Sequence, residues 1–117
     1  MRLLFVYVLI AFSVAGFAQV KKEYHDAKQT QLKSETDYHK GMPHGVHVEY
    51  YPSGKVSRTG FYDYGKEDSV WTFFYENGTR KAVEQYLKGK KWGTNVYYFK
   101  TGKIAQITRY ENDLADS

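Results

Sequence analysis

The stretch from Tyr62 to Gly78, YDYGKEDSVWTFFYENG, decides how the chain is read. Its centre, Val70 to Tyr75, is aromatic and β-branched, the composition of a pleated strand. The strand leads into Glu76-Asn77-Gly78, and a tyrosine-to-glycine step, Tyr62 to Gly65, precedes it. The same pattern recurs on both sides. Tyr38, Tyr62, Tyr86 and Tyr110 lie 24 residues apart. Gly41, Gly65 and Gly89 keep that spacing, with Asp113 in fourth place, and Gly45, Ser69 and Gly93 follow it. So do the pairs Tyr50-Tyr51, Phe74-Tyr75 and Tyr98-Phe99, and the glycines Gly54, Gly78 and Gly102. A fixed period of this length is the signature of a repeat architecture.

Each unit reads as a β-hairpin. Its loops are Pro52-Ser53-Gly54, Glu76-Asn77-Gly78 and Lys100-Thr101-Gly102. Proline suits the second position of a type I turn, and glycine suits the left-handed position that follows. The second strands run from Lys55, Thr79 and Lys103 to the closing tyrosines Tyr62, Tyr86 and Tyr110. The fold class expected is all-β: a repeat protein forming a single-layer antiparallel meander of about three tandem 24-residue hairpins.

The units are 38–61, 62–85 and 86–109, with a truncated fourth reaching 113 and a tail at 114–117. Residues 19–37 form a polar N-terminal segment. Leu32 to Tyr38 can supply a half-repeat strand there, whereas Lys21 to Gln31 reads as helix or disorder.

Side chains alternate between faces along a strand. A three-residue loop sets even numbers opposite even numbers. The even face then carries Val46, Val48, Tyr50, Val56, Tyr62, Val70, Phe74, Ala82, Tyr86, Val96, Tyr98, Ile104 and Tyr110, and is the expected core. The odd face mixes His47, Glu49, Lys81 and Asn95 with the aromatics Trp71, Phe73, Tyr75, Tyr97 and Phe99. It is either a binding surface or a layer covered by another segment.

The pattern formed by Tyr62, Gly65, Ser69, Trp71, Phe74, Tyr75, Asn77 and Gly78 resembles the MORN-repeat variant. The resemblance covers Tyr38 to Asp113, and the chain also resembles the bacterial YwqK-type antitoxins of toxin–antitoxin systems. It implies a meander of hairpins with a binding role, and it brings no catalytic residues. Ser69 departs from it in place of a glycine, and His47 and Asn95 depart from it in place of tryptophan.

Residues 1–18 read as a secretory leader. Arg2 supplies the charge, Leu3 to Phe17 the apolar run, and Gly16-Phe17-Ala18 the small residues at a cleavage site before Gln19. An uncleaved anchor is the alternative. A spanning helix needs about 20 apolar residues, and this run is shorter and is followed by Lys21-Lys22. The expected location is periplasmic or secreted. The chain of 117 residues has no cysteine, so it offers neither a disulfide nor a lipid-bearing cysteine, and no stable membrane anchor is expected. Its 17 basic and 13 acidic residues give a net charge of +4, too mild a balance for nucleic-acid binding.

No cysteine nucleophile, G-x-S-x-G, H-E-x-x-H or phosphate loop is present, so no enzyme chemistry and no cofactor are implied. His39, His44 and His47 are weak candidates for a metal, because imidazoles so close in sequence can converge. Otherwise they decorate one repeat. Lys88, Lys90, Lys91 and Trp92 form a basic-aromatic loop able to meet an anionic surface, or simply a solvated connection. Together with Trp71, Phe73, Tyr75, Tyr97 and Phe99 they make up the expected binding surface. A protein partner is the first reading, and a cell-wall glycan or envelope surface the second. Mass spectrometry of protein recovered outside the cytoplasm should find Gln19 as the first residue, free or cyclised; an intact chain retained in the membrane would refute cleavage.

Overall fold

The structure, a computed structural model, describes residues 7–12, whose backbone alone is considered, and 18–115. Arg2, Gly16 and Phe17, on which the leader reading leans, lie outside the described residues. One antiparallel sheet holds all eleven strands. They are β1 (Tyr7–Phe12), β2 (Ala18–Tyr24), β3 (Leu32–His39), β4 (Met42–Tyr50), β5 (Val56–Asp63), β6 (Lys66–Phe74), β7 (Arg80–Leu87), β8 (Lys90–Lys91), β9 (Gly93–Tyr98), β10 (Ile104–Glu111) and β11 (Leu114–Ala115). Neighbours in sequence are neighbours in space, apart from the short β8, which pairs with β7 alongside β9. The all-β meander of successive hairpins is therefore the fold. Among the described residues no helix is long and apolar enough to cross a membrane.

Of the segment Lys21 to Gln31, read as helix or disorder, the first four residues are strand, within β2, which pairs with β3 from Ala18↔His39 to Tyr24↔Leu32, and residues 25–31 form the connecting loop. Ala18 and Met42 begin equivalent strands, 24 residues apart. Cross-strand pairing, rather than the polar composition, decides its conformation. β1 lies along its outer side, from Tyr7↔Tyr24 to Phe12↔Gln19.

The hairpin tips are three-residue loops. Tyr51 N–H donates to the Lys55 carbonyl and Gly54 N–H to the Tyr51 carbonyl, both at 2.8 Å, and Tyr75/Thr79 and Phe99/Lys103 repeat the arrangement. Between hairpins the turns have two residues with both φ positive, as at Tyr64-Gly65 (42° and 86°), the geometry that matches strand twist. The turn amide then reaches the preceding unit. Gly65 N–H donates to the Pro43 carbonyl at 2.7 Å, and Gly89 N–H to Glu67 and Asp113 N–H to Lys91 at 2.8 Å. This ladder accounts for the spacing of Gly65, Gly89 and Asp113.

The face assignment made from parity fails, for one repeated reason. Tyr50 pairs with Val56, but the next pair is Glu49 with Arg58, so Ser57 is an extra residue. Lys81 and Ala105 are skipped in the same way in their hairpins, and Lys33 in the first. Each is a β-bulge one pair away from the tip. Beyond it, odd residues of a first strand lie opposite even residues of the second, as Trp71 does with Glu84. The inner face therefore combines His47, Trp71 and Asn95 with Thr36, Gly60 and Glu84, and with Tyr62, Ala82 and Tyr86. Val46, Val70 and Ile104, expected in the core, are exposed on the other face.

Trp71 is 1% exposed and Asn95 0%, the two largest fully buried side chains. The indole lies on Gly60. A Cβ added there would sit 2.1 Å from Trp71 Cδ2. His47 approaches from the other side, its ring centroid 5.7 Å from that of Trp71, although their strands are two apart, about 9.5 Å in sheet spacing. Tyr62 meets Trp71 edge-on at 4.9 Å. Trp71 Nε1–H donates to the Phe61 carbonyl at 3.1 Å, so the indole is buried without an orphan donor.

Two substitutions test this account by urea denaturation. Gly60→Ala should cost about 3 kcal/mol, the upper range for overpacking, because the clash is with a ring that cannot swing aside. Ser69 holds φ at +62° without being glycine. A left-handed side-chain residue costs about 1–2 kcal/mol, partly offset by the greater unfolded freedom of glycine. Ser69→Gly should then raise stability by about 0.5 kcal/mol, and a fall would refute the strain.

Candidate interaction surface

The inner face is a polar-aromatic layer in which Glu49 and Glu84 are each paired with a cation. Arg58 Nε–H donates to Glu49 Oε2 at 2.6 Å, and the guanidinium lies over the Trp71 ring at 5.3 Å. His47 Nε2 stands 3.3 Å from the same carboxylate oxygen, and its Nδ1 is 2.6 Å from Thr36 Oγ1. The contact with the carboxylate assigns Nε2–H as a donor to Glu49.

The Glu49 carboxyl is held down at about 2. The hydrogen bond from His47 is the largest cause, burial opposes it, and the hydrogen bond and charge of Arg58 add to it. Further along, Lys91 Nζ meets Glu84 at 2.9 Å and Tyr86 O–H donates to the same carboxylate at 3.0 Å. Burial and the Glu84 charge push the Tyr86 phenol up. Burial pulls Lys91 down, but its hydrogen bond and charge pairing with Glu84 outweigh that and raise it.

The residues expected to form a binding surface are not brought together on one surface. Trp71 is in the core, a correction that follows from the bulge at Lys81. Phe73 is half-buried on the inner face. Tyr75 is a strap between repeats: its O–H donates to the Tyr98 carbonyl at 2.7 Å, as Tyr51 does to Phe74 at 2.6 Å. Tyr97 is half-buried with its hydroxyl 3.5 Å from Lys91 Nζ. Phe99 is 57% exposed at the last hairpin tip.

The basic loop also divides. Lys88 and Lys90 are exposed, whereas Lys91 turns inward to Glu84 and over the Tyr110 ring at 5.2 Å. Trp92 is half exposed. The three histidines do not converge either. His47 is buried beside Trp71, His44 stacks on Tyr64 at 4.0 Å, and His39 lies 6.0 Å from His44. No group of three such side chains able to hold a metal occurs among the described residues.

The outer face carries the exposed apolar groups. Pairing across the sheet sets Val48, Thr59, Thr72, Val83, Val96 and Ile107 in one row. Val46, Phe61 and Val70 lie beside it, and all three are exposed, as is Ile107 at 59%. No described segment crosses this row. Parity reasoning placed Val46 and Val70 in the core and missed Phe61 as a surface residue. The readable signal was Gly60, which breaks a series of Thr36, Glu84 and Thr108 next to the tryptophan of its neighbouring strand.

Residues 43–64 and 67–88 match the family model described as MORN repeat variant. These stretches are the two central hairpins, β4–β5 and β6–β7, each closed by its two-residue turn. The chain is thus a β-hairpin repeat protein whose two central hairpins match the MORN repeat variant. Repeats of this kind commonly serve as protein- or membrane-interaction modules. No curated protein matches the chain.

The Glu49 carboxylate gives a pH signature. Its folded value lies below the ordinary 4.5, so its stabilisation is complete above about pH 4.5 and disappears as pH falls through about 2. Acid titration of the urea midpoint should show this loss for the native chain. Glu49→Gln should flatten that part of the profile, and an unchanged slope would refute the assignment.

Proposed function

We propose that the chain is a non-catalytic, extracytoplasmic interaction module that binds a protein partner through the outer face of its sheet. The observation that carries the proposal is the uncovered row of β-branched side chains with Val46, Phe61, Val70 and Ile107 exposed along it. Large exposed apolar patches on a folded protein mark interaction sites. The inner face supports the non-catalytic reading. Glu49 is paired with Arg58 and Glu84 with Lys91, so neither of these two is poised as a free acid or base.

The leader motif supports export. Cleavage before Gln19 removes β1 and Ala18, and leaves the rest of β2 as the first strand. The resemblance to YwqK-type antitoxins would make the partner a toxin protein.

Cross-linking of the exported chain to envelope proteins tests the docking face. Val70→Lys with Ile107→Lys should abolish the cross-linked species seen with the native chain, while the melting temperature stays within about 4 °C, the shift expected for about 1 kcal/mol. Identical cross-linking by both chains would refute the outer face as the docking surface.

A further inference from the structure

Trp92 continues a series with His44 and Asp68, each 24 residues from the next and each directly before the left-handed bulge residue, Gly45, Ser69 or Gly93. In the first two units this side chain has an internal use. His44 stacks on Tyr64, and its Nδ1 lies 3.3 Å from the Tyr64 N–H. Asp68 accepts the Lys88 N–H at 3.0 Å. The partner position in the third unit, equivalent to Tyr64 and Lys88, is Asn112. Among the described residues the Trp92 indole has no ring partner and no side-chain hydrogen bond, and it is 50% exposed.

Its backbone is nonetheless fixed. Trp92 N–H donates to the Gln85 carbonyl at 3.0 Å. The next turn is clamped to the adjoining residue by Asp113, which accepts the Lys91 N–H at 2.6 Å and donates its own N–H to the Lys91 carbonyl. A rigidly mounted indole without a partner is an unused contact surface.

The indole lines a cleft of about 400 Å³ together with Gly93, Arg109, Tyr110 and Glu111. The Arg109 and Glu111 side chains have no hydrogen bond or ion pair among the described residues. The cleft therefore combines a flat π-face with a planar donor and a planar acceptor, all unspent. An indole face is electronegative and attracts weakly positive C–H groups. A guanidinium supplies paired donors and a carboxylate paired acceptors. A pyranose ring presents both complements: an apolar C–H face and an edge of adjacent hydroxyls. The cleft volume lies within the range of small-ligand sites. An anionic lipid headgroup fits less well, since it would meet the Glu111 carboxylate and since Lys91 is committed to Glu84.

We infer that the Trp92 cleft is a carbohydrate subsite, in which a sugar ring stacks on the indole while Arg109 and Glu111 hydrogen-bond its hydroxyls. The site lies at the turn edge of the last hairpin, where Arg109 follows Ile107 by two residues on the same face of β10; it adjoins the outer-face docking surface, but neither reading depends on the other.

The chain has two tryptophans, and only Trp92 is accessible, so quenching of emission by acrylamide reports on this cleft. Titration of the exported chain with tri-N-acetylchitotriose and with cellotriose should give, for at least one of them, a saturable emission shift and protection from acrylamide. Isothermal titration should show the affinity falling about tenfold or more in Trp92→Ala, the loss expected of an aromatic anchor, and falling less in Arg109→Ala. Both variants should keep their melting temperatures within about 4 °C of the native chain. Val70→Lys should leave the sugar response unchanged. No saturable response to either sugar would overturn the inference. So would binding that survives Trp92→Ala, or an emission shift produced by phosphatidylglycerol vesicles and not by sugar.

Discussion

The contact of the Trp71 indole with Gly60 is the constraint on which the rest of the sheet depends. A single-layer sheet has no second layer to bury its side chains, so those on one face must cover each other. That requires large residues to lie flat, and a flat ring needs an empty place on the next strand. Gly60 provides it. The ring then spans the strand between β4 and β6 and meets His47 and Tyr62, so that one aromatic cluster links three strands. The positions equivalent to Trp71 hold smaller polar residues, and each bonds to the strand before it, although Asn95 Nδ2 is buried without a hydrogen-bond partner among the described residues. His47 bonds Thr36, and Asn95 Oδ1 accepts the Gln85 N–H at 2.5 Å.

The polar character of this interior follows from the same geometry. The inner face is thin, so long charged side chains can lie across it with their apolar stems covering rings and their heads paired to one another. Arg58 over Trp71 and Lys91 over Tyr110 do this, with Glu49 and Glu84 as counter-ions. The arrangement spends its carboxylates on structure. It leaves the outer face, where β-branched residues stand upright from the pleat, as the apolar surface available to a partner.

Where a repeat position has no neighbour to satisfy it, structure and function separate. Tyr51 and Tyr75 reach the next hairpin and become straps, while Phe99 at the same position of the last hairpin remains exposed. Position 92 behaves alike: its counterparts find Tyr64 and the Lys88 amide, and the indole finds neither. Residues that look interchangeable in the repeat thus differ by what the following unit offers them.

The 24-residue period, the hairpin units and the three-residue tips were legible in the sequence, because turns are set by local chemistry: proline at 52 and glycines at 54, 78 and 102 allow few other conformations. The face to which each side chain points was not legible. It depends on Ser57, Lys81 and Ala105 being unpaired, and nothing in serine, lysine or alanine marks a bulge. One extra residue reverses the alternation of everything beyond it, and so Trp71 passed from surface to core and Val70 from core to surface. The strand over Ala18–Tyr24 was hidden for a related reason. Its residues are polar, and only the pairing edge presented by β3 makes it extended. Period and turn type are properties of a few adjacent residues and belong to the sequence. Register and burial are properties of pairs of strands, and the tertiary structure alone decided them.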